Sequence, residues 1–588
     1  TLNRQQMEKL GLTTLTDVLS FIPGFIMGKT HEGTAAVMIR GVSVKALLLL
    51  DGVPYREPGN NNQPFAGIAF QSIERIEAIR GPGAVIYGSN ATAGVINIIT
   101  RQDEGSQVAI EVGPHESFNK QLYYNHALTQ GGQISISAHH HKSLGFKARH
   151  SNTGTPAPQD RSYRTQTQNQ SLYLKYQLSD FNFSIHNFNY QTHAIDPTFI
   201  TGVSGLFPPD LYPSTFRERA TLVHSDYQWQ TAKTQVKIYS HYNRYDTDVT
   251  TLVLNTRLKG QYDQGGDNNY RWVGGGRLEN TLSPHLTLLA GLEYEHRETG
   301  NYGGDYFGTP IIAWRANRTY ETSSYGQLDY TQDKWRMLLG ARYVNNNDAG
   351  DAWLPRMSLV YNFDFFHSIK LLYSVGFTSP SATAKYIQLN NVVGDEHLKA
   401  ETISTLDLAY SYNHNNALFV ANTFYFEADN FIGYKLQGIQ TNVVNSPSFQ
   451  RYGFELDYQK NMHNKQLLAN FSYHHQGNEI IADDPIAITV PKYTVNLALH
   501  FKPYEQQTAG ASVQLLSERN NDPAKDTLSP LWLLNAHYDV LFKQTEINVN
   551  IKNILDKEVR QGDMVAQFVG SVPVSGGTSL LVNLKYKF

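Results

Sequence analysis

Several features that mark common protein classes are missing from this sequence. Cysteine is absent, which excludes disulfide bonds, thiolate metal sites and thiol nucleophiles. Charged residues make up only 17% of the chain, and the net charge is -3. The sequence has no strong block of charges of one sign, so nothing indicates nucleic-acid binding. The longest apolar runs, such as Ala46–Leu50, are far shorter than the roughly 20 residues of a membrane-spanning helix. If the protein crosses a membrane, it must therefore do so as a β-barrel.

The sequence also lacks the short motifs of common catalytic and binding sites. It contains no GxxxxGK[ST] loop, GxSxG elbow, HExxH motif or EF-hand loop. The glycine-rich run at 80–94 opens no convincing helix after a parallel strand, so tight turns explain it better than a phosphate site. Successive strand residues point to opposite sides, so His139, His140 and His141 do not form a three-ligand site. We predict no catalytic residue, no metal site and no covalently bound cofactor.

What is present is alternation. Residues 577–588 (GTSLLVNLKYKF) place Leu580, Leu584 and Phe588 on one face, and Asn583 and Lys585 on the other. Such a final strand, with apolar residues outward, charges inward and an aromatic at its end, is what closing a barrel in lipid requires, because lipid offers no water to an open edge.

Strand-like segments continue from about residue 105 to the end, joined alternately by tight polar turns and long connections. Leu172 and Leu174, for example, face away from Tyr173 and Lys175. The long connections are predicted near 147–165, 194–218, 248–270, 299–318, 378–400, 477–489 and 553–576. Short turns on one rim and long loops on the other are typical of an outer-membrane barrel, here of about 22 strands. A soluble β-sandwich, the alternative, has far fewer strands.

Residues 1–104 have a different pattern. Helical spacing over 15–22 ends at Pro23 and Gly24. Short strands are predicted at 36–39, 47–51, 73–80 and 95–100. Since a barrel of about 22 strands has a lumen too wide for side chains to fill, we predict that 1–104 is an α+β plug inside a transmembrane antiparallel barrel formed by 105–588.

A set of motifs in the predicted plug occurs in the order and spacing of a known family. They are 17–24 (DVLSFIPG), 39–41 (IRG), 50–54 (LDGVP), 73–83 (IERIEAIRGPG), 87–89 (YGS) and 94–100 (GVINIIT). This set resembles the plug of TonB-dependent outer-membrane receptors. In the barrel half, 376–380 (GFTSP) and 394–401 (GDEHLKAE) resemble degraded forms of the family's FRAP and NPNL-type motifs, with Thr378 in place of the family's Arg.

The resemblance implies an energy-coupled receptor in the bacterial outer membrane that moves a scarce, bulky ligand into the periplasm without chemistry. The expected partners are TonB with its inner-membrane energising complex, the extracellular ligand, and outer-membrane lipid or lipopolysaccharide. A ferric siderophore is the expected ligand, an iron chelate; cobalamin, haem and copper chelates are alternatives. A passive porin or a barrel enzyme is the alternative of another class. No signal peptide is visible, and the TonB-pairing segment of the family is expected ahead of Thr1.

The resemblance also implies which residues act. Two plug loops are expected to touch the ligand through Lys29, His31, Glu32, Tyr55, Arg56, Asn60, Asn61, Asn62, Gln63 and Phe65. Arginines in or beside the outer loops that could meet an anionic chelate are Arg149, Arg217, Arg219, Arg315 and Arg318. An ionic lock within the plug and against the barrel wall is expected from Arg40, Glu74, Glu77 and Arg80. The alternatives are solvated loop residues and ion pairs that only stabilise the plug.

Overall fold

The structure is a computed structural model that describes most of the chain. The described residues are 1–30, 32–43, 45–129, 131–150, 161–194, 214–254, 259–266, 268–306, 309–389, 392–437, 440–476, 490–519, 528–562 and 571–588. Among them, no helix is both long and apolar enough to cross a membrane.

The plug combines short helices with two small sheets. Its helices are α1 (Arg4–Lys9), α2 (Leu15–Ser20) and α3 (Ala84–Tyr87), with 3-10 turns at Phe65–Gly67 and Phe70–Ser72. Its strands are β1 (Leu2–Asn3), β2 (Phe25–Lys29), β3 (Ala35–Ile39), β4 (Val42–Ser43), β5 (Ala46–Leu50), β6 (Val53–Pro54), β7 (Ile73–Arg80) and β8 (Gly94–Thr100). The sheet orders are β1-β7-β8-β5-β6 and β2-β3-β4.

Local chemistry explains several of these elements. Helix α2 begins at a capping box, in which the Thr14 side chain accepts from the backbone N–H of Asp17 and the Asp17 side chain accepts from that of Thr14. Strand β5 is apolar throughout because both its faces are buried in the plug core, and it pairs with β8 in parallel. The core therefore forms around the two most apolar strands of the plug.

The barrel follows without a break after the plug. Its strands and their extensions are β9 (Gly105–Gly113), β10 (Ser117–Ala127), β11 (Gly132–Ser143), β14 (Thr167–Leu178), β15 (Phe181–Ala194), β16 (Ser214–Gln230), β17 (Thr234–Leu254), β18 (Lys259–Gly266), β19 (Tyr270–Ser283), β20 (Leu286–Thr299), β21 (Tyr302–Tyr306), β22 (Thr309–Trp314), β23 (Asn317–Gln332), β24 (Trp335–Asn346), β25 (Gly350–Asn362), β26 (His367–Thr378), β29 (Glu401–His414), β30 (Ala417–Asp429), β33 (Phe449–Asn461), β34 (Lys465–Gln476), β35 (Tyr493–Tyr504), β36 (Gln507–Leu516), β37 (Leu531–Phe542), β38 (Thr545–Lys552) and β41 (Ser579–Lys587).

The outer loops carry their own short elements. They are β12 (Lys147–His150), β13 (Arg161–Arg164), α4 (Ala382–Tyr386), β27 (Gln388–Leu389), β28 (Val392–Val393), β31 (Ile432–Gln437), β32 (Gln440–Asn445), β39 (Val559–Gln561) and β40 (Val572–Ser575).

The predicted 22-stranded antiparallel barrel is confirmed within the described residues. The last strand, β41, pairs with the first, β9, and this pairing closes the ring, with Leu584 opposite Ile110. Alternation sets the two faces of the wall: Leu292 is 67% exposed on the outside, while Glu295 is buried toward the lumen. Other exposed apolar side chains on the outer face are Leu172, Ile238, Leu339, Trp353, Leu406, Leu497 and Leu580.

In two of the predicted long connections, strands extend the barrel wall itself. Near 248–270, β17 continues to Leu254 and pairs with β18, while β19 pairs directly with the lower part of β17. Near 299–318, β21 and β22 form a hairpin above β20 and β23. Residues 249–254 (VTTLVL) are rich in β-branched types, which favours continuation of the strand above the membrane.

Candidate functional site

Arg40 joins the plug to the barrel wall. Its φ of 53° places the backbone after β3 in the left-handed region, which residues other than glycine seldom adopt. Its Nη2 lies 2.7 Å from Oδ1 of Asp407 on β29, and its Nε lies 3.0 Å from Oε1 of Glu455 on β33. Burial alone would lower the pKa of Arg40, but the two carboxylates outweigh burial and raise it. This contact is a fully buried, charge-assisted attachment.

The other three residues expected in the lock differ from one another. Arg80 reaches the same wall carboxylate, with Nη1 3.2 Å from Oε2 of Glu455. Glu77 pairs instead with Arg75 of its own strand, at 2.8 Å. Glu74 makes no ion pair within the described part of the chain. The expectation that Glu74 and Glu77 take part in the attachment to the wall is corrected here: at this contact the plug supplies arginines and the barrel supplies acids. We call Arg40, Arg80, Asp407 and Glu455 the lock cluster.

Ion pairs also attach the plug to other strands of the barrel. They are Asp17 with Lys552 at 2.5 Å, Lys45 with Glu401 at 2.7 Å, Arg56 with Glu295 at 3.0 Å and Asp51 with Lys175 at 3.2 Å. Removing one partner of a buried pair costs about 3–5 kcal/mol, because the remaining charge is left desolvated and unpaired. These contacts therefore hold the plug from several sides.

Residues 55–65, the apical loop, follow β6 and point toward the outer loops. Tyr55 is fully buried, with its hydroxyl 3.1 Å from Nδ1 of His186 on β15. Phe65 is buried as well, and Gln63 donates from Nε2 to the backbone carbonyl of Ala46 at 2.8 Å. Three of the expected ligand contacts are thus packed away from the vestibule, because burying the rings stabilises the loop more than exposing them.

Arg56 is buried too, contrary to its expected role as a free ligand contact. Its Nη2 lies 3.0 Å from Oε1 of Glu295 on β20, whose other oxygen is 2.7 Å from Arg271 on β19. The guanidinium also donates to the Asn61 side chain. In this arrangement Arg56 fixes the apical loop to the barrel.

The tip of the apical loop retains access. Asn60, Asn61 and Asn62 are half-buried, and the loop that contains α4 rests on them. The hydroxyl of Thr383 donates to the Asn60 side chain, and the N–H of Ala382 donates to the carbonyl of Gly59 at 2.9 Å. The plug tip and an outer loop therefore meet where a ligand from outside would first arrive.

The second expected plug loop lies between β2 and β3. A hydrogen bond of 2.9 Å joins the hydroxyls of Thr30 and Thr34 and closes the loop. Lys29 is half-buried, and burial lowers its pKa; Glu32 is also half-buried. His31 lies outside the described residues. Lys29 and Glu32 thus have partial access beside the apical loop.

Glu57 was not singled out from the sequence, yet it is the most unusual charge in the apical loop. It is 2% exposed, and its Oε2 has no hydrogen-bond partner among the described residues. Burial raises its pKa well above the ordinary value, with further contributions from Glu218, Glu32 and Asp246. Nothing in the local sequence distinguishes Glu57 from a solvated loop acid, because its burial comes from the barrel wall.

Of the expected outer-loop arginines, Arg217 and Arg219 lie on β16 and face outward. Their neighbours Phe216, Glu218 and Ala220 are buried toward the lumen. On the outer surface, both arginines line a shallow cavity of about 210 Å³ together with Gln168, Gln170, Asn189 and Gln191. A role in the vestibule is therefore corrected for these two: β16 begins at Ser214, so strand alternation rather than loop geometry directs them.

The remaining outer arginines are placed as follows. Arg318 is exposed on the outer face of β23 and pairs with Glu298 at 3.0 Å. Arg315 is exposed at the end of the β21–β22 extension. For Arg149 the structure describes the backbone, in β12, and not the side chain. Within the described part of the chain, no group of three or more His, Asp or Glu side chains is arranged to hold a metal ion.

These features define a large β-barrel closed by a folded plug that buried ion pairs hold in place. Residues 117–554 match the family model described as TonB dependent receptor-like, beta-barrel, and residues 1–95 match the TonB-dependent Receptor Plug Domain. The chain belongs to the TonB-dependent receptors, a family of outer-membrane receptors rather than enzymes.

Similar proteins include a vitamin B12 transporter and siderophore receptors. The vitamin B12 transporter BtuB of Vibrio vulnificus (strain CMCP6) is 34% identical over 166 residues, which cover 26% of this chain and 26% of that protein. Among solved structures, the ferric enterobactin receptor PfeA of Pseudomonas aeruginosa has a TM-score of 0.80 at 17% identity, over 100% of this chain and 98% of that chain. The siderophore receptor PirA of Acinetobacter baumannii has a TM-score of 0.74 at 16% identity, over 100% and 98%. At such identity the structures show a shared fold alone.

Proposed function

We propose that this receptor actively imports a ferric siderophore, an iron chelate, from outside the cell. The observation that carries the proposal is the occluded lumen: a plug tied to the barrel by the lock cluster and by further ion pairs allows no passive flow of a bulky ligand. Import then needs energy, and the partner that would supply it is TonB with the inner-membrane energising complex. Outer-membrane lipid and lipopolysaccharide would surround the apolar outer face.

Capture would take place at the tip of the apical loop. Asn60, Asn61 and Asn62 offer amide donors and acceptors beneath the loop that carries Thr383. A ligand that bound there would compete with the contacts between the two loops. If the ligand bound more tightly when the two loops are apart, it would shift the population of plug states toward that arrangement. The shift would signal to the periplasmic side that the ligand is bound.

Cobalamin is the second candidate ligand, and the identity to a vitamin B12 transporter favours it. Haem is less favoured, because it would need an axial histidine on the plug and another in the loop after β26, where the sequence offers only His397.

The test is ligand uptake by receptor-null cells that express this receptor. We expect labelled ferric siderophore to accumulate and a protonophore to abolish the accumulation. Uptake of cobalamin alone would replace the proposed ligand by the second candidate. Uptake that survives the protonophore would refute energy coupling and indicate a passive pore.

A further inference from the structure

One part of the lumen wall carries positive charges that the plug does not neutralise. Arg277 on β19, Arg356 on β25 and Lys370 on β26 form what we call the cationic stripe. Each lies on the lumen side of its strand: Val273 and Leu354, on the same face as the two arginines, are fully buried. Lys370 shares its face with the buried Leu372, and Leu371 between them is exposed outward.

The stripe descends toward the periplasmic rim. Through the strand pairing, Arg277 lies at the level of Arg342, and Arg356 lies opposite Gly340, two residues lower on β24. Lys370 pairs with Val360, which lies opposite Arg336 near the lower end of β24. At about 3.4 Å per residue, the six residues from Arg342 to Arg336 span about 20 Å along the strand.

None of the three stripe residues has an ion pair or a side-chain hydrogen bond to another described residue, and Nε of Arg356 is buried without a partner. Two nearby acids of this wall pair with other cations. Glu293 binds Arg342 at 2.6 Å, and Asp329 binds Arg336 at 2.6 Å. Glu279, on the same face of β19, forms no ion pair within the described part of the chain. Partly buried cations without partners are costly, and stability alone does not explain three along one path.

The plug meets this wall with Tyr87 of α3. Burial and Glu77 raise the pKa of Tyr87 in α3, whereas the charges of Arg356 and Arg277 lower it, so both guanidinium groups act on this phenol. Above the stripe, the plug closes the wall: the N–H of Asn90 donates to the carbonyl of Phe377 at 2.8 Å.

Additional contacts seal the same place. The Ser89 hydroxyl donates to Glu321 on β23. Gly88 lies so close to Arg342 that an added Cβ would be 3.1 Å from Nη2. At the level of these contacts, Tyr239 lies against Gly275 of β19, where an added Cβ would come within 2.5 Å of the ring. The stripe thus begins at the level of a seal made by plug residues 88–90 and runs from there toward the periplasmic rim.

We propose that the cationic stripe is a transfer site for an anionic metal chelate on its way past the plug. When the segment 88–90 separates from β23 and β26, the chelate exchanges contacts from Arg277 and Arg356 to Lys370 and so descends toward the periplasm. This inference rests on the proposed function and narrows its ligand to a negatively charged chelate that travels between the plug and strands β19–β26.

The test uses the full receptor with R277Q, R356Q and K370Q combined, and labelled ferric enterobactin as the anionic probe. We expect equilibrium binding at the cell surface to stay within about twofold of the parent and the uptake rate to fall at least about tenfold. The charge-preserving variant R277K/R356K/K370R should keep most of the uptake. The variant R217Q/R219Q/R318Q removes as many charges from the outer face and should transport normally.

A second measurement does not depend on this ligand. In planar bilayers with enough urea to loosen the plug, the full-length receptor should pass an anion-selective current in a KCl gradient. The triple glutamine variant should shift the reversal potential toward cation selectivity. An unchanged reversal potential, or normal uptake by the triple glutamine variant, would overturn the proposal that the cationic stripe is a transfer site. Absence of uptake by the parent, together with a shifted potential, would overturn only the proposed ligand.

Discussion

Two parts of the lumen wall differ in how their charges contact the plug. On β29 and β33, Asp407 and Glu455 receive Arg40 and Arg80 at 2.7–3.2 Å, so each charge of the lock cluster has a partner of opposite sign. On β19, β25 and β26, the cationic stripe faces Tyr87 and forms no ion pair with a plug carboxylate within the described part of the chain. The first part holds the plug, whereas the second leaves charge available to something else. One barrel thus separates attachment from passage by the sign of a few lumen residues.

The largest effect is expected at the lock cluster. Glu455→Ala should leave Arg40 and Arg80 short of a carboxylate and weaken the plug by about 3–5 kcal/mol. Hydrogen exchange of the amides of β5 and β8 in the intact receptor measures this loss as faster exchange. Asp457→Asn, on the same face of β33 but without an ion pair among the described residues, is the matched control. Equal exchange in the two variants would mean that the lock cluster does not hold the plug.

A smaller effect is expected where the plug contacts β24. Arg342→Met should remove the 2.6 Å pair with Glu293, and Glu293 would keep its 2.7 Å hydrogen bond from Tyr239. The expected loss is about 1–3 kcal/mol. The same exchange measurement applies, and a loss larger than that of Glu455→Ala would reverse the comparison between the two walls.

The apical loop should show a pH dependence with a defined sign. The pKa of Glu57 is raised from its ordinary 4.5 by burial first and then by Glu218, Glu32 and Asp246. An acid whose pKa is raised by folding stabilises the folded state when the pH is below its unfolded-state pKa, here 4.5. This stabilisation is lost as the pH rises through the folded-state pKa. Glu57→Gln should therefore exchange more slowly than the parent at alkaline pH, on the order of tenfold, and similarly at pH 4.

Amide exchange in the apical loop, compared between parent and variant at each pH, measures this difference, and intrinsic exchange rates cancel in the ratio. A ratio that does not change with pH would show that Glu57 is ionised in the folded plug. The pKa of Glu57 would then not be raised in the folded plug.

The smallest effect on plug stability is expected at the stripe. Arg356→Gln removes a cation that has no ion-pair partner among the described residues. The free energy of unfolding reported by exchange of β5 and β8 should therefore fall by no more than about 0.5 kcal/mol. A clear loss of protection would mean that Arg356 supports the plug. The cationic stripe would then help to hold the plug, as the lock cluster does.

The residues that were misplaced from the sequence share one cause. Asp407 and Glu455 went unnoticed, although alternation could have assigned both to the lumen. Asp407 stands between the outward-facing Leu406 and Leu408, and Glu455 directly follows the outward-facing Phe454. Arg217 was assigned to a loop because the upper end of β16 is polar. A strand that extends above the membrane loses its apolar outer face but keeps its alternation.

The apical loop was misread for a different reason. Its turn residues predict a polar, accessible loop, and the Asn tip at 60–62 agrees with that. Tyr55 and Phe65 are buried because strands β14 to β17 surround the loop. Long-range packing of this kind leaves no trace in the local pattern.

The sequence by itself determined the closed antiparallel barrel, the plug and the family, because alternation and short ordered motifs are local properties of the chain. Only the tertiary structure decided which acid meets Arg40, which arginines face outward, and where the lumen keeps unpaired charge. Those outcomes depend on which residues of distant strands reach the same height on the barrel wall. Register across the closed ring and the seating of the plug set that height, and neither is encoded in any single segment.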